Sequence, residues 1–112
     1  MGIRVILSVA GGAVLVLAGL STAAPNESQV GVRVFQFQPG QVEVRAGSRV
    51  TWTNQDDITH TVTSGTPEQR DGRFDQRLDG KGAAASVELT APGIYRYFCS
   101  RHPSMRGEIR VN

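Results

Sequence analysis

From residue 30 onward the apolar residues recur at every second position in short runs, and each run stops at a turn. Val30, Val32 and Val34 alternate with Gly31 and Arg33, Val42 and Val44 with Glu43 and Arg45, and Val50 and Trp52 with Thr51 and Thr53. A two-residue period sends successive side chains to opposite faces of an extended chain, the requirement of a half-buried strand. Gln38-Pro39-Gly40, Ala46-Gly47-Ser48 and Ala91-Pro92-Gly93 are turn sequences between such runs. His60 and Val62 sit among Thr59, Thr61 and Thr63, a β-branched stretch suited to a pleated surface. Further on, Val87 and Leu89 share one face, as do Tyr95, Tyr97 and Cys99, and Ile109 and Val111 close the chain. Phe35 and Phe37 break the parity of the first run, which predicts a bulge or burial on both faces. Residues 64–82 lose the pattern; with Pro67, Gly72, Gly80 and Gly82 they read as a long loop with one short strand or turn, and Phe74 and Leu78 have the spacing of a single helical turn. No stretch after residue 24 carries the period of an ordinary helix. Seven or eight short strands with turns every 8–12 residues predict an all-β chain, a β-sandwich or barrel.

The first 24 residues differ in kind. Arg4 precedes an apolar stretch over residues 5–20, and Ser21-Thr22-Ala23-Ala24 places small residues at the −3 and −1 positions of a cut after Ala24. This is the pattern of a secretory signal peptide; its length also approaches that of a membrane span, so an uncleaved anchor is the competing reading. Residues 25–29 are polar and read as a flexible leader, leaving residues 30–112 as one domain. Removing residues 1–24 leaves 11 basic against 10 acidic groups. Such a balance argues against nucleic-acid binding, which draws on a concentrated basic face.

The single cysteine, Cys99, cannot staple the domain internally. It opens the densest chemical feature of the chain, Cys99-Ser100-Arg101-His102-Pro103-Ser104-Met105, in which a thiolate, an imidazole and a thioether follow at C-x2-H-x2-M spacing between two strands. The other histidine, His60, stands at the end of the Thr-rich strand. The only Cys, both His residues and the only Met beyond the initiator are thus candidate ligands. Thiolate and thioether favour Cu(I), imidazole serves Cu(II) as well, and two His with one Cys and a weak axial Met is the blue-copper donor set. Structural zinc sites use four Cys or His and rarely Met. Taken singly, His60 reads as a hydrogen-bonded strand histidine, Cys99 as a small buried hydrophobe and Met105 as core filling. Cys99 with His102 also has the composition of a nucleophile and its base, but no orienting acid or oxyanion donor stands at a fixed spacing. One copper ion cycling between Cu(I) and Cu(II) explains all four residues together.

With these flanks the chain resembles the plastocyanin-like cupredoxins, and the spacing of its ligand loop is similar to that of the amicyanins. The resemblance covers nearly all of residues 30–112. Phe37-Gln38-Pro39, Val42-Glu43-Val44-Arg45-Ala46-Gly47, Val50-Thr51-Trp52-Thr53-Asn54 and His60-Thr61-Val62 follow the family's run into its first ligand, and Gly93-Ile94-Tyr95-Arg96-Tyr97-Phe98-Cys99 the run into its second. It implies a Greek-key β-sandwich with the copper at one end under a partly exposed His102. Two positions depart from the family. Arg101 stands where many relatives have Pro, which restores an N–H able to reach the Cys99 sulfur and, with the Arg101 charge, to favour Cu(I). Thr61 stands where relatives commonly have Asn bracing the two ligand loops, a task then falling to the Thr61 hydroxyl or to Ser100. Asp56 and Asp57 read as turn formers.

A shielded centre with four protein ligands needs no open coordination position, so the expectation is an electron carrier and no enzyme. It would be exported, to the periplasm or the outer face of the cytoplasmic membrane, with membrane contact only if residues 1–24 are retained. Its expected partners are redox proteins met in brief encounters, by a monomer, at a small patch of Pro103 and Ser104 around His102, to which the resemblance to the family adds Ile58, with Arg101 and Arg106 favouring an acidic surface. Two other functions compete: copper storage or delivery with the same ligands, and an accessory β-sandwich binding module in which those residues are incidental.

Overall fold

The computed structural model describes residues 26–112. The signal-peptide reading of residues 1–24 and the first leader residue, Pro25, lie outside them. Nine strands follow in order: β1 (Glu27–Arg33), β2 (Gln36–Gln38), β3 (Gln41–Val44), β4 (Ser48–Asn54), β5 (His60–Thr66), β6 (Gln69–Leu78), β7 (Ala84–Leu89), β8 (Gly93–Cys99) and β9 (His102–Val111). They form a five-stranded sheet in the order β3-β9-β8-β5-β6 and a four-stranded sheet in the order β2-β1-β4-β7. The β9·β3 and β1·β4 pairs are parallel and the rest antiparallel. There is no helix among the described residues. This is the all-β sandwich that the alternation predicts.

The inward positions of both sheets meet in one apolar cluster. In β4 the buried residues are Ser48, Val50, Trp52 and Asn54, every second position, while Arg49 faces water. Trp52 packs against Tyr97 with ring centroids 5.2 Å apart, and Phe37 against Tyr97 at 4.7 Å, within the range of favourable edge-to-face pairs. Strand β5 lies between β8 and β6 and is buried on both faces from His60 to Ser64. Its polar side chains are therefore paired: Thr63 Oγ1 donates to Asp75 Oδ1 at 2.8 Å, and the Ser64 hydroxyl donates to Phe74 O and accepts from Phe74 N. The Ser64 bonds fall where the β5·β6 register shifts. The shift brings Gln69 O to within 2.5 Å of where a Cβ on Gly65 would sit, so only glycine fits there.

Three sequence expectations are corrected. Residues 69–78, within the stretch read as a long loop with one short strand or turn and with the spacing of a helical turn at Phe74 and Leu78, are the ten-residue strand β6. Phe74, Gln76 and Leu78 do alternate inward, but β6 is an edge strand whose first half is wholly exposed, so its composition is that of a loop. Residues 27–29 of the expected leader belong to β1, where Glu27, Ser28 and Gln29 pair with Arg49, Val50 and Thr51. The parity change at Phe35 is neither a bulge nor burial on both faces: Val34 and Phe35 form a two-residue turn between β1 and β2, with Arg33 opposite Gln36.

Candidate metal centre

The predicted donors come from three strand ends at one pole of the five-stranded sheet. Cys99 ends β8 and His102 begins β9, and the two are register partners across the two-residue turn Ser100-Arg101. His60 begins β5, the other neighbour of β8. A register irregularity between His102 and Arg106 carries Met105 back to the interior, where it joins the same apolar cluster as Cys99. Cys99 and His60 are wholly buried, Met105 nearly so, and His102 is half-buried.

The donor atoms of His60, Cys99 and His102 lie within 4.8 Å of one another. Cys99 Sγ is 3.7 Å from His60 Nδ1 and 3.7 Å from His102 Nδ1. Metal–thiolate and metal–imidazole bonds of about 2.3 and 2.0 Å, set about 120° apart, span roughly 3.7 Å between sulfur and nitrogen. Both sulfur–nitrogen separations thus match those of a trigonal His2Cys centre.

The surroundings hold them in that state. Asp56 Oδ2 is 2.8 Å from His60 Nε2. A carboxylate only accepts, so in the neutral ring Nε2 carries the proton and Nδ1 turns its lone pair toward Cys99. Burial alone would push the Asp56 carboxyl up, but the Val34 N–H, the His60 ring and the Phe35 N–H outweigh it and hold the group below the usual carboxylate range. The loop carrying Asp56 is organised by buried Asn54. Its Oδ1 accepts Asp56 N–H at 2.9 Å, and its Nδ2 donates to Ile58 O at 2.8 Å and Leu78 O at 3.2 Å.

The two departures from the family resolve differently. The Thr61 hydroxyl does brace the two ligand segments: Oγ1 accepts the Ser100 N–H at 2.8 Å and lies 3.0 Å from Ser100 Oγ and 2.9 Å from Thr63 Oγ1. The backbone N–H on the Cys99 sulfur, at 3.4 Å, is that of Thr61 and not of Arg101. Arg101 sits in the exposed turn between β8 and β9, whereas the register of β5 against β8 points the Thr61 amide at the sulfur. Arg106 Nε donates to Pro103 O at 3.3 Å, a bond within β9 that spans the irregular stretch carrying Met105.

Two participants were not legible in the sequence. Asp56 reads as a turn former because its partners, the Val34 and Phe35 amides, lie 22 and 21 residues away. Phe35 reads as a core residue, yet it is half exposed, with its ring edge-on to His102 at 4.9 Å and to His60 at 5.7 Å.

Comparison with known proteins follows the same lines. Amicyanin-alpha of Methylorubrum extorquens is 33% identical over 97 residues, which are 85% of this chain and 80% of that protein. Plastocyanin of Scenedesmus fuscus is 30% identical over 83 residues, 67% of this chain and 85% of that one. Among solved structures, a purple cupredoxin from Nitrosopumilus maritimus superposes with a TM-score of 0.69 at 25% identity, covering 76% of this chain and 99% of the other. The family of copper binding proteins typified by plastocyanin and azurin matches residues 25–112, the whole of both sheets and the ligand loop. An agreement that runs through every strand and ends on copper-type donors has one reading: the chain belongs to the plastocyanin/azurin family of copper-binding proteins.

Proposed function

We propose that this protein is a one-electron carrier whose copper would be held by His60, Cys99, His102 and Met105. The observation that carries this reading is the 3.7 Å approach of both Nδ1 atoms to one buried sulfur, at a sheet pole where only His102 reaches the surface. Bound there, copper supplies a one-electron couple that soft and borderline donors make accessible in both oxidation states. The chain's own residues keep the donors in place. Asp56 orients His60, Thr61 bonds the sulfur through its amide and ties the two ligand segments through its hydroxyl, and the apolar core around Cys99 and Met105 keeps the buried side dry.

Exchange with partners is assigned to the His102 edge. Of the four exposed large apolar side chains among the described residues, Ile58 lies two residues before His60, and Val34 and Phe35 form the turn whose Phe35 ring meets His102. With the exposed Pro103, next to His102 in sequence, these are the apolar side chains that would meet a redox protein at this edge, in brief encounters rather than a stable complex. The reading includes export, carried by the signal-like residues 1–24, a location outside the cytoplasm, and action as a monomer.

The test is visible absorption of residues 25–112 after one equivalent of Cu(II). An intense blue band that ascorbate abolishes is expected of a thiolate-bound, redox-active centre. A colourless or faintly blue protein would overturn the reading and leave an accessory binding module. A blue protein that surrenders its copper to a chelator within seconds would mark copper delivery instead.

A further inference from the structure

The turn between β1 and β2 is built from unsuitable residues. Val34 and Phe35 both have positive φ, 52° and 58°, the form of a type I′ hairpin turn, which Asn-Gly or Gly-Gly ordinarily supplies. A Cβ in that region crowds the following carbonyl, and a β-branched valine is among the least tolerant residues there. The turn also leaves both side chains in water, Val34 68% and Phe35 50% exposed. Neither local preference nor core burial accounts for it.

The Asp56 carboxylate does. Oδ1 accepts the Val34 N–H at 2.9 Å and Oδ2 the Phe35 N–H at 3.4 Å, while Oδ2 also takes the His60 Nε2 proton at 2.8 Å. One side chain therefore fastens the strained turn and a candidate ligand to the same two oxygens. The consequence is geometric: the Phe35 ring stands edge-on over both imidazoles, which are themselves 5.1 Å apart. Backbone strain kept beside a site and held by surrounding bonds is characteristic of functional regions.

We propose that Asp56 is a positioning residue that holds Phe35 as an aromatic cover over the His60–His102 edge of the metal centre, and that this cover raises the reduction potential. The proposal rests on the copper-carrier reading above. The oxidised centre carries one more positive charge than the reduced one, and water stabilises the more charged state, so an apolar cover that excludes water favours Cu(I).

A double-mutant cycle on the copper-loaded protein separates this role from a direct effect of the Asp56 charge. Cyclic voltammetry would compare the wild type, Phe35→Ala, Asp56→Ala and the double variant. Phe35→Ala is expected to lower the potential. The same substitution in the Asp56→Ala background is expected to shift it little, because the cover is already loose; the charge lost at position 56 is common to both members of that comparison and cancels. Equal shifts in the two backgrounds would overturn the positioning role, and an unshifted or raised potential in Phe35→Ala would overturn the cover. If Asp56→Ala does not fold, Asp56→Asn serves, since its one carbonyl oxygen cannot serve both turn amides and the His60 ring. Copper-free protein gives an independent readout: nuclear Overhauser contacts between the Phe35 and His102 rings are expected in the wild type and lost in Asp56→Asn, and their persistence would overturn the proposal. A wild type with no blue band would instead fail the copper reading, while the copper-free contacts would still decide the link between Asp56 and Phe35.

Discussion

Tyr97 and Gly107 show how tightly single positions are held beneath the metal pole. The Tyr97 hydroxyl and Trp52 Nε1 are both buried and find no well-formed hydrogen-bond partner, each other included. Burial pushes the Tyr97 phenol up to about 12, against a weak opposing pull from Trp52. The folded state therefore keeps the proton more tightly than the unfolded chain, whose tyrosines titrate near 10. The stability associated with neutral Tyr97 is complete below that value and is lost as pH rises through the folded value. Urea unfolding followed between pH 9 and 12 is expected to show this loss in the wild type and a smaller one in Tyr97→Phe. At neutral pH Tyr97→Phe is expected to change stability by no more than about 1 kcal/mol, since the buried hydroxyl it removes has at most a poorly formed bond from Trp52. Gly107 faces the same ring: a Cβ there would lie 2.2 Å from Tyr97 Cζ. The ring is pinned by Phe37, Trp52 and Phe74 and has nowhere to go. Gly107→Ala is expected to cost about 1–3 kcal/mol in urea unfolding, the range for overpacked cores.

At the scale of elements, the site depends on how β5 is pinned between β8 and β6. Thr61 faces the ligand turn of β8–β9, and its single oxygen meets the Ser100 amide, the Ser100 hydroxyl and Thr63. Thr61→Val keeps the shape and removes all three bonds. It is expected to cost about 1–3 kcal/mol in the copper-free protein, the penalty for leaving buried partners unsatisfied, while Thr61→Asn, which keeps an acceptor, is expected to cost less. Equal losses for the two variants in urea titrations would show that the hydroxyl does not brace the segments. The strands themselves were largely legible from their alternation, β4 above all, because a strand with one face inward displays its burial at every second residue. Strand β6 was not, because the exposed half of an edge strand has no apolar face to display. Nor was the β1–β2 turn, since Val34-Phe35 carries no turn signal of its own.

For the whole molecule, a metal bound only by the folded state adds its binding energy to a small domain's stability. At a hundredfold excess of free copper over Kd the gain is about 2.7 kcal/mol, on the order of 10 °C in Tm for a domain of this size. Calorimetry with copper and then with chelator is expected to show that rise and its reversal; an unchanged Tm would mean that the donors do not bind it. The charge distribution acts at longer range. Arg101 and Arg106, which flank His102 in sequence, are both exposed, so the association rate with an acidic redox partner is expected to fall as salt is added. Stopped-flow rates that stay flat between low and physiological salt would remove electrostatic steering from the account.

What the sequence by itself determined is local or periodic. The two-residue alternation, the turns and the C-x2-H-x2-M loop involve residues within a few positions of one another, and the rarity of Cys, His and Met in this chain singled out His60 as their distant companion. What only the tertiary structure decided is every contact made across strands brought together by sheet register. Thr61 N–H reaches the Cys99 sulfur over 38 residues, and Asp56 reaches the Val34 amide over 22. Such partners carry ordinary residue types at arbitrary separations. Their roles arise because β5 lies beside β8, and because the loop into β5 lies against the β1–β2 turn, which places a carboxylate, an amide and an aromatic ring around one pair of histidines.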